Sequence, residues 1–189
     1  WKDYGIPCVS LDLGVHVHHM VHYLMGGVSF RNVSAVEACN GNVPDVVDSV
    51  SVLAECCGNL VVDLMWGKVF LGHSNGLRFR LYGDLGSLMW EQSTPELLRH
   101  SDKTGSRNIL ERGQPNLLEA NKAEYNRFKA GHPAGFVEAF ANIYSDFHSI
   151  IAGAGPDQDT YTLDSALQGL RFLSSVHDRT QRSSELTKP

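Results

Sequence analysis

The feature that most constrains this chain is a hydrophobic period that changes twice. Near the start, Leu13, Val17, Met20, Val21 and Leu24 recur every three or four residues, which predicts a helix over 11–25. Gly26-Gly27 then ends it, because glycine accepts the left-handed conformation at a helix end. From 28 to 90 the pattern turns strand-like. Segments 28–38, 49–56, 59–71 and 77–90 are rich in Val, Leu, Phe and Trp, and Arg78-Phe79-Arg80-Leu81-Tyr82 alternates polar and apolar. Gly58-Asn59, Ser74-Asn75-Gly76 and Gly83-Asp84-Leu85-Gly86 supply turn chemistry between them. The helical period then returns. Phe136, Val137, Phe140, Ile143, Tyr144, Phe147 and Ile151 form one stripe over 134–152, and Leu163, Ala166, Leu167, Leu170 and Leu173 form another over 162–178. Residues 92–130 are weakly patterned and read as a loop-rich excursion with room for one short strand. The polar tail after Arg179 reads as frayed. Strands joined by short turns and closed by helices predict an α+β fold with a mostly antiparallel sheet.

A chain of 189 residues that is 42% hydrophobic can close one sizeable core, so a single domain over 1–189 is expected. The formal net charge of -5 and the scattered Lys and Arg exclude a nucleic-acid footprint, which needs a basic face. No apolar run approaches the ~18 residues of a membrane span. Cys8, Cys39, Cys56 and Cys57 contain no Cys-x-x-Cys and read as reduced thiols, which points to the cytoplasm. The chain opens on Trp1 rather than Met, without a signal-like run, and reads as part of a longer protein.

Asp12 and His16 are four residues apart on the first helix, a spacing that puts both side chains on one face. A carboxylate beside an imidazole fixes its tautomer and raises its basicity, and such a histidine can take a proton from a substrate hydroxyl. The competing reading is a helix-starting aspartate and an ordinary surface histidine. His18 and His22 repeat the spacing, which is compatible with metal ligation. However, His16, His18 and His19 cannot share a face at about 100° per residue, and no Glu or Cys completes a set, so no metal is expected. His73 and Asn75 lie in Gly72-His73-Ser74-Asn75-Gly76, and His132 lies in Gly131-His132-Pro133. A histidine in such glycine-flanked turns can point into a cleft. Trp66, Tyr82 and Trp90 occupy strand positions and read as core or interface. No Gly-x-Gly-x-x-Gly joins a strand to a helix, and Gly83-x-x-Gly86 falls in a hairpin turn.

Taken in order, these segments resemble a known family. Leu11-Asp12-Leu13-Gly14-Val15-His16, followed by a helix and Leu24-Met25-Gly26, is similar to the Asp-Ile-Gly-x-His signature of the glucose–fructose oxidoreductase/inositol dehydrogenase (Gfo/Idh/MocA) family. The stretch from Gly72-His73-Ser74 through Gly83-Asp84-Leu85-Gly86 to Trp90 looks like that family's sheet segment. Ala130-Gly131-His132-Pro133-Ala134-Gly135-Phe136 resembles a segment of one of its branches, and the helix 164–175 fits its closing helix. The resemblance implies a carboxy-terminal domain of the dihydrodipicolinate reductase-like type, a large mostly antiparallel sheet with helices on one face. The family's amino-terminal Rossmann domain, which binds NAD or NADP, has no counterpart here. It implies His16 as acid/base residue and Asp12 as its support, with a lysine from the Rossmann half completing the site. His73, Asn75 and His132 become candidate substrate contacts, the substrate a sugar or polyol, and the open sheet face a homo-oligomer interface. An oligomerising or sugar-sensing domain without catalysis is the alternative.

Overall fold

The computed structural model describes residues 5–156 and 160–186, with side chains up to residue 181. In chain order its elements are a π turn at Ser10–Gly14, α1 (Val15–Leu24), β1 (Phe30–Ala38), β2 (Ser49–Cys56), β3 (Val61–Gly67), β4 (Arg78–Tyr82), β5 (Gly86–Glu91), β6 (Leu97–Asp102), β7 (Arg107–Glu111), α2 (Phe136–Ile151) and α3 (Leu163–Leu186). They fall into two compact units. One comprises the residues up to Gly72 and those from Tyr161 on; the other runs from His73 to Thr160.

In the first unit, β1, β2 and β3 form an antiparallel sheet in that order. β2 alternates strictly: Val50, Val52, Ala54 and Cys56 are buried, while Ser51, Leu53 and Glu55 face out. The register pairs Val50 with Trp66 and Val52 with Leu64, so β3 buries the same face. The α1 and α3 helices cover that face, and Phe172, Leu173 and Val176 of α3 complete the core. Each such aliphatic or aromatic side chain contributes roughly 1.5–3 kcal/mol by leaving water. The opposite face stays open and carries exposed Val36, Leu53, Val61 and Met65. β1 changes register between Arg31 and Ser34, where Asn32 takes a φ of 44°, a conformation asparagine tolerates better than most residues.

His18 of α1 belongs to this core. It is 2% exposed, and its ring lies 5.7 Å from Phe30 and 5.4 Å from Phe172. Burial, reinforced by His22 and His19, lowers its pKa to about 4. Further along β1, on the face that α3 covers, Glu37 receives His177 Nδ1 at 2.9 Å and the Thr180 hydroxyl at 2.9 Å, a polar tie between β1 and α3.

In the second unit, β4 to β7 form an antiparallel meander in sequence order. Two of these strands, β6 and β7, lie in the stretch read as loop with room for one strand. Their side chains are mostly half-buried or exposed, so the pairing left no apolar alternation to read. The turn between them is built by Asp102, whose Oδ1 accepts the N–H groups of Thr104 and Ser106 and the Thr104 hydroxyl. These bonds hold the Asp102 carboxyl below its usual pKa. The apolar stripe of α2 is present, with Phe136 and Phe140 edge to face at 4.9 Å, but no residue of this helix is buried. The α3 helix runs to Leu186, well past the polar point where fraying was expected. The α+β class and the antiparallel pairing are borne out, with the strands in two sheets, one in each unit. Among the described residues, no helix is long and apolar enough to cross a membrane.

Candidate active site

The π turn sits where the sequence places Asp12, and its anchoring can be traced residue by residue. Wider than an α turn, such a turn is often found at functional sites. Ser10 is buried, and its Oγ accepts the Trp66 indole N–H at 3.1 Å. Gly14 has an ordinary helical φ of -62°, so its lack of a side chain matters for space, not conformation. A Cβ there would lie 2.8 Å from Leu173 Cδ2 and 3.0 Å from the Trp66 ring. The inner side of the turn is thus fixed against β3 and α3. Asp12 is on the outer side, its side chain 52% exposed.

His16 follows in the first turn of α1 and is exposed, outside the apolar core. The Asp12 carboxylate is engaged by Lys68, whose Nζ lies 2.5 Å from Oδ2. Lys68 is invisible to sequence spacing, because it lies just past the end of β3, more than fifty residues from the motif. Only the pairing of β3 under the π turn brings it there. The Asp12 bond pushes the Lys68 ammonium above its usual pKa.

The other histidines of α1 do not converge. His19 meets Tyr161 edge to face at 4.2 Å, and His18 stacks on His22 at 6.0 Å. Among the described residues, no three His, Cys, Asp or Glu side chains are grouped to hold a metal ion.

His73, Asn75 and His132 lie in the second unit, all exposed. His73 and Asn75 share one glycine-flanked turn, where Asn75 takes a φ of 45°. His132 is held through its backbone. Its carbonyl accepts Arg112 Nη2 at 3.1 Å, and its ring Nδ1 lies 3.2 Å from the Lys129 carbonyl. Arg112 is the organiser of this region. Nε and Nη2 fork onto the Glu96 carboxylate at 2.5 and 3.3 Å, and Nη1 reaches Asn126 Oδ1 at 2.6 Å and the Phe128 carbonyl at 2.9 Å. Glu96 also accepts the Ala134 N–H at 2.9 Å. A guanidinium has five N–H donors in a rigid fork, and this arrangement occupies them all. Neither residue was singled out in the sequence. The signal was the unread β6–β7 hairpin, whose register sets Glu96 opposite Arg112.

Comparisons with known proteins agree with this architecture. No family model matches the chain. An uncharacterised oxidoreductase of Bacillus subtilis, YfiI, is 26% identical over 180 residues, covering 90% of this chain and 45% of that protein. The crystal structure of an oxidoreductase from Sinorhizobium meliloti superposes with a TM-score of 0.81 at 26% identity, covering 93% of this chain and 50% of that one. An inositol dehydrogenase homologue from Azotobacter vinelandii, in complex with NADH and myo-inositol, shares the fold with a TM-score of 0.79 at 22% identity, covering 90% and 47%. The chain spans about half the length of these relatives. Its fold matches that of the carboxy-terminal domains of these structures. The structures it matches are oxidoreductases and dehydrogenases of the Gfo/Idh/MocA type.

Proposed function

We propose that this chain is the substrate half of an NAD(P)-dependent dehydrogenase that oxidises a hydroxyl of a sugar or polyol. The observation that carries the reading is the exposed Asp12 on a π turn anchored from below, with His16 exposed in the helix that follows, within a fold shared with oxidoreductases. His16 accepts the hydroxyl proton as the carbon gives up hydride, and Asp12 orients the imidazole. His73, Asn75 and His132 contact the substrate. The relative crystallised with NADH and myo-inositol supports the cofactor and substrate class.

Among the described residues, no glycine-rich turn leads from a strand into a helix N-terminus in the way that cradles a dinucleotide. Its Gly83–Gly86 pair closes the β4–β5 hairpin and precedes no helix. The nicotinamide, which supplies the hydride acceptor, is therefore assigned to a separate Rossmann half. Catalysis needs both reactants held together, so this chain alone is expected to be inactive. The open sheet face, with Val36, Leu53, Val61 and Met65 exposed, supports assembly into a homo-oligomer.

The test uses the protein carrying both halves. NAD(P)H absorbance is followed against a panel of sugars and polyols, wild type beside His16→Ala. A loss of about 10²–10⁴-fold in His16→Ala is expected for a general base. Cofactor binding without turnover on any substrate would instead favour a silent oligomerising or sugar-sensing domain.

A further inference from the structure

The carboxyl end of β3 grips the π turn twice. Trp66 donates to Ser10 from the buried side, and Lys68, two residues on, reaches Asp12 from the outer side. Trp66 is the penultimate residue of β3 and Lys68 lies in the bend that follows it, so one short segment meets the turn at two points. The backbone beneath Lys68 is itself held. Its N–H donates to the Asp48 carbonyl at 2.9 Å, and a Cβ on neighbouring Gly67 would lie 2.9 Å from the Phe70 ring.

We propose that Lys68 is a positioning residue for the Asp12–His16 pair, fixing the direction in which the Asp12 carboxylate faces. This rests on the reading of His16 as the acid/base residue. Lys68 engages Oδ2, and in this proposal Oδ1 is the oxygen that meets the imidazole N–H. The lysine carries no proton in the reaction; it stays an ammonium and acts through Asp12. An ion pair this exposed adds little to stability, since solvent screens it and two long side chains lose freedom to make it. Its effect is on geometry, and small misplacements of a catalytic group cost rate out of proportion to their size.

The experiment compares Lys68→Met and Lys68→Arg with wild type in the protein carrying both halves. Lys68→Met is expected to lower kcat by about 10- to 100-fold with KM little changed, as for supporting residues behind a reactive group. It should also displace the acidic limb of the pH–rate profile. Lys68→Arg is expected to restore most of the rate, and the melting temperature of both variants should stay near wild type. An unchanged kcat in Lys68→Met, or an Arg variant no better than Met, overturns the proposal. A crystal structure of Lys68→Met gives a readout independent of turnover. A rotated Asp12 carboxylate supports the clamp, and an unmoved one overturns it. If the wild type turns over no sugar or polyol, the acid/base reading fails, while the Asp12 rotamer still decides whether Lys68 positions it.

Discussion

Gly14 and Leu173 meet with no room between them: a methyl on Gly14 would stand 2.8 Å from Leu173 Cδ2. Helix propensity alone favours alanine over glycine here by about 1 kcal/mol. The packing reverses the sign. Gly14→Ala forces Leu173 and Trp66 aside and is expected to destabilise the protein by about 1–3 kcal/mol. Urea denaturation of the variant checks this, and a gain in stability would show that the π turn can shift.

Removing the Ser10 hydroxyl leaves the Trp66 indole N–H buried without its acceptor. Ser10→Ala is expected to cost about 1–3 kcal/mol, the penalty of an unsatisfied buried donor. The double change Ser10→Ala with Trp66→Phe should cost less than the sum of the single changes, because the orphaned donor is gone. Thermal melts of the four proteins provide the measurement.

His18 makes stability depend on pH in a defined window. Its folded pKa is depressed, to about 4 from 6.5, so the unfolded chain binds a proton that the folded chain refuses. Above pH 6.5 both states are neutral and nothing is lost. As the pH falls from 6.5 to about 4, about 3 kcal/mol of stability should disappear, at roughly 1.4 kcal/mol per unit. His19, also lowered by burial, acts in the same direction. Denaturation curves at pH 7 and pH 4.5 for wild type and His18→Leu isolate the contribution. A variant as acid-sensitive as wild type would contradict it.

The tie between Glu37 and His177 is buried, with the Glu37 side chain 6% exposed. Glu37→Ala strips acceptors from both His177 and Thr180 and is expected to cost about 3 kcal/mol, at the low end for breaking a buried pair. Amide exchange along α3 should speed up first.

Arg112→Lys keeps the charge and loses the fork. One ammonium cannot reach Glu96, Asn126, Phe128 and His132 together, so the 126–134 backbone should loosen while β4 and β5 stay protected. Residue-resolved hydrogen exchange distinguishes this from global destabilisation, in which all four strands would exchange faster.

Much of this architecture could be read directly. The loose alternation of 49–56 and the glycine stop after α1 are local signals, and both elements lie where their patterns place them. The β6–β7 hairpin was not legible, because neither strand buries a continuous face and its turn is specified by one aspartate. The same limit governed the candidate site. Asp12 and His16 are four residues apart and visible as a spacing. Lys68 and Arg112 act through contacts that exist only after strands pair, and no window of neighbouring residues contains them.

The first unit is interrupted in the chain. Its sheet and first helix precede residue 73, yet Phe172, Leu173 and Val176, which close its core, come about a hundred residues later. During synthesis, the three-stranded sheet therefore leaves the ribosome with one face covered by α1 but not yet by α3, while the β4–β7 meander is complete before α3 appears. At ordinary translation rates of roughly 5–20 residues per second, that exposed interval lasts several seconds. The late-arriving helix thus makes the first unit complete its core only after every strand of the second has been made.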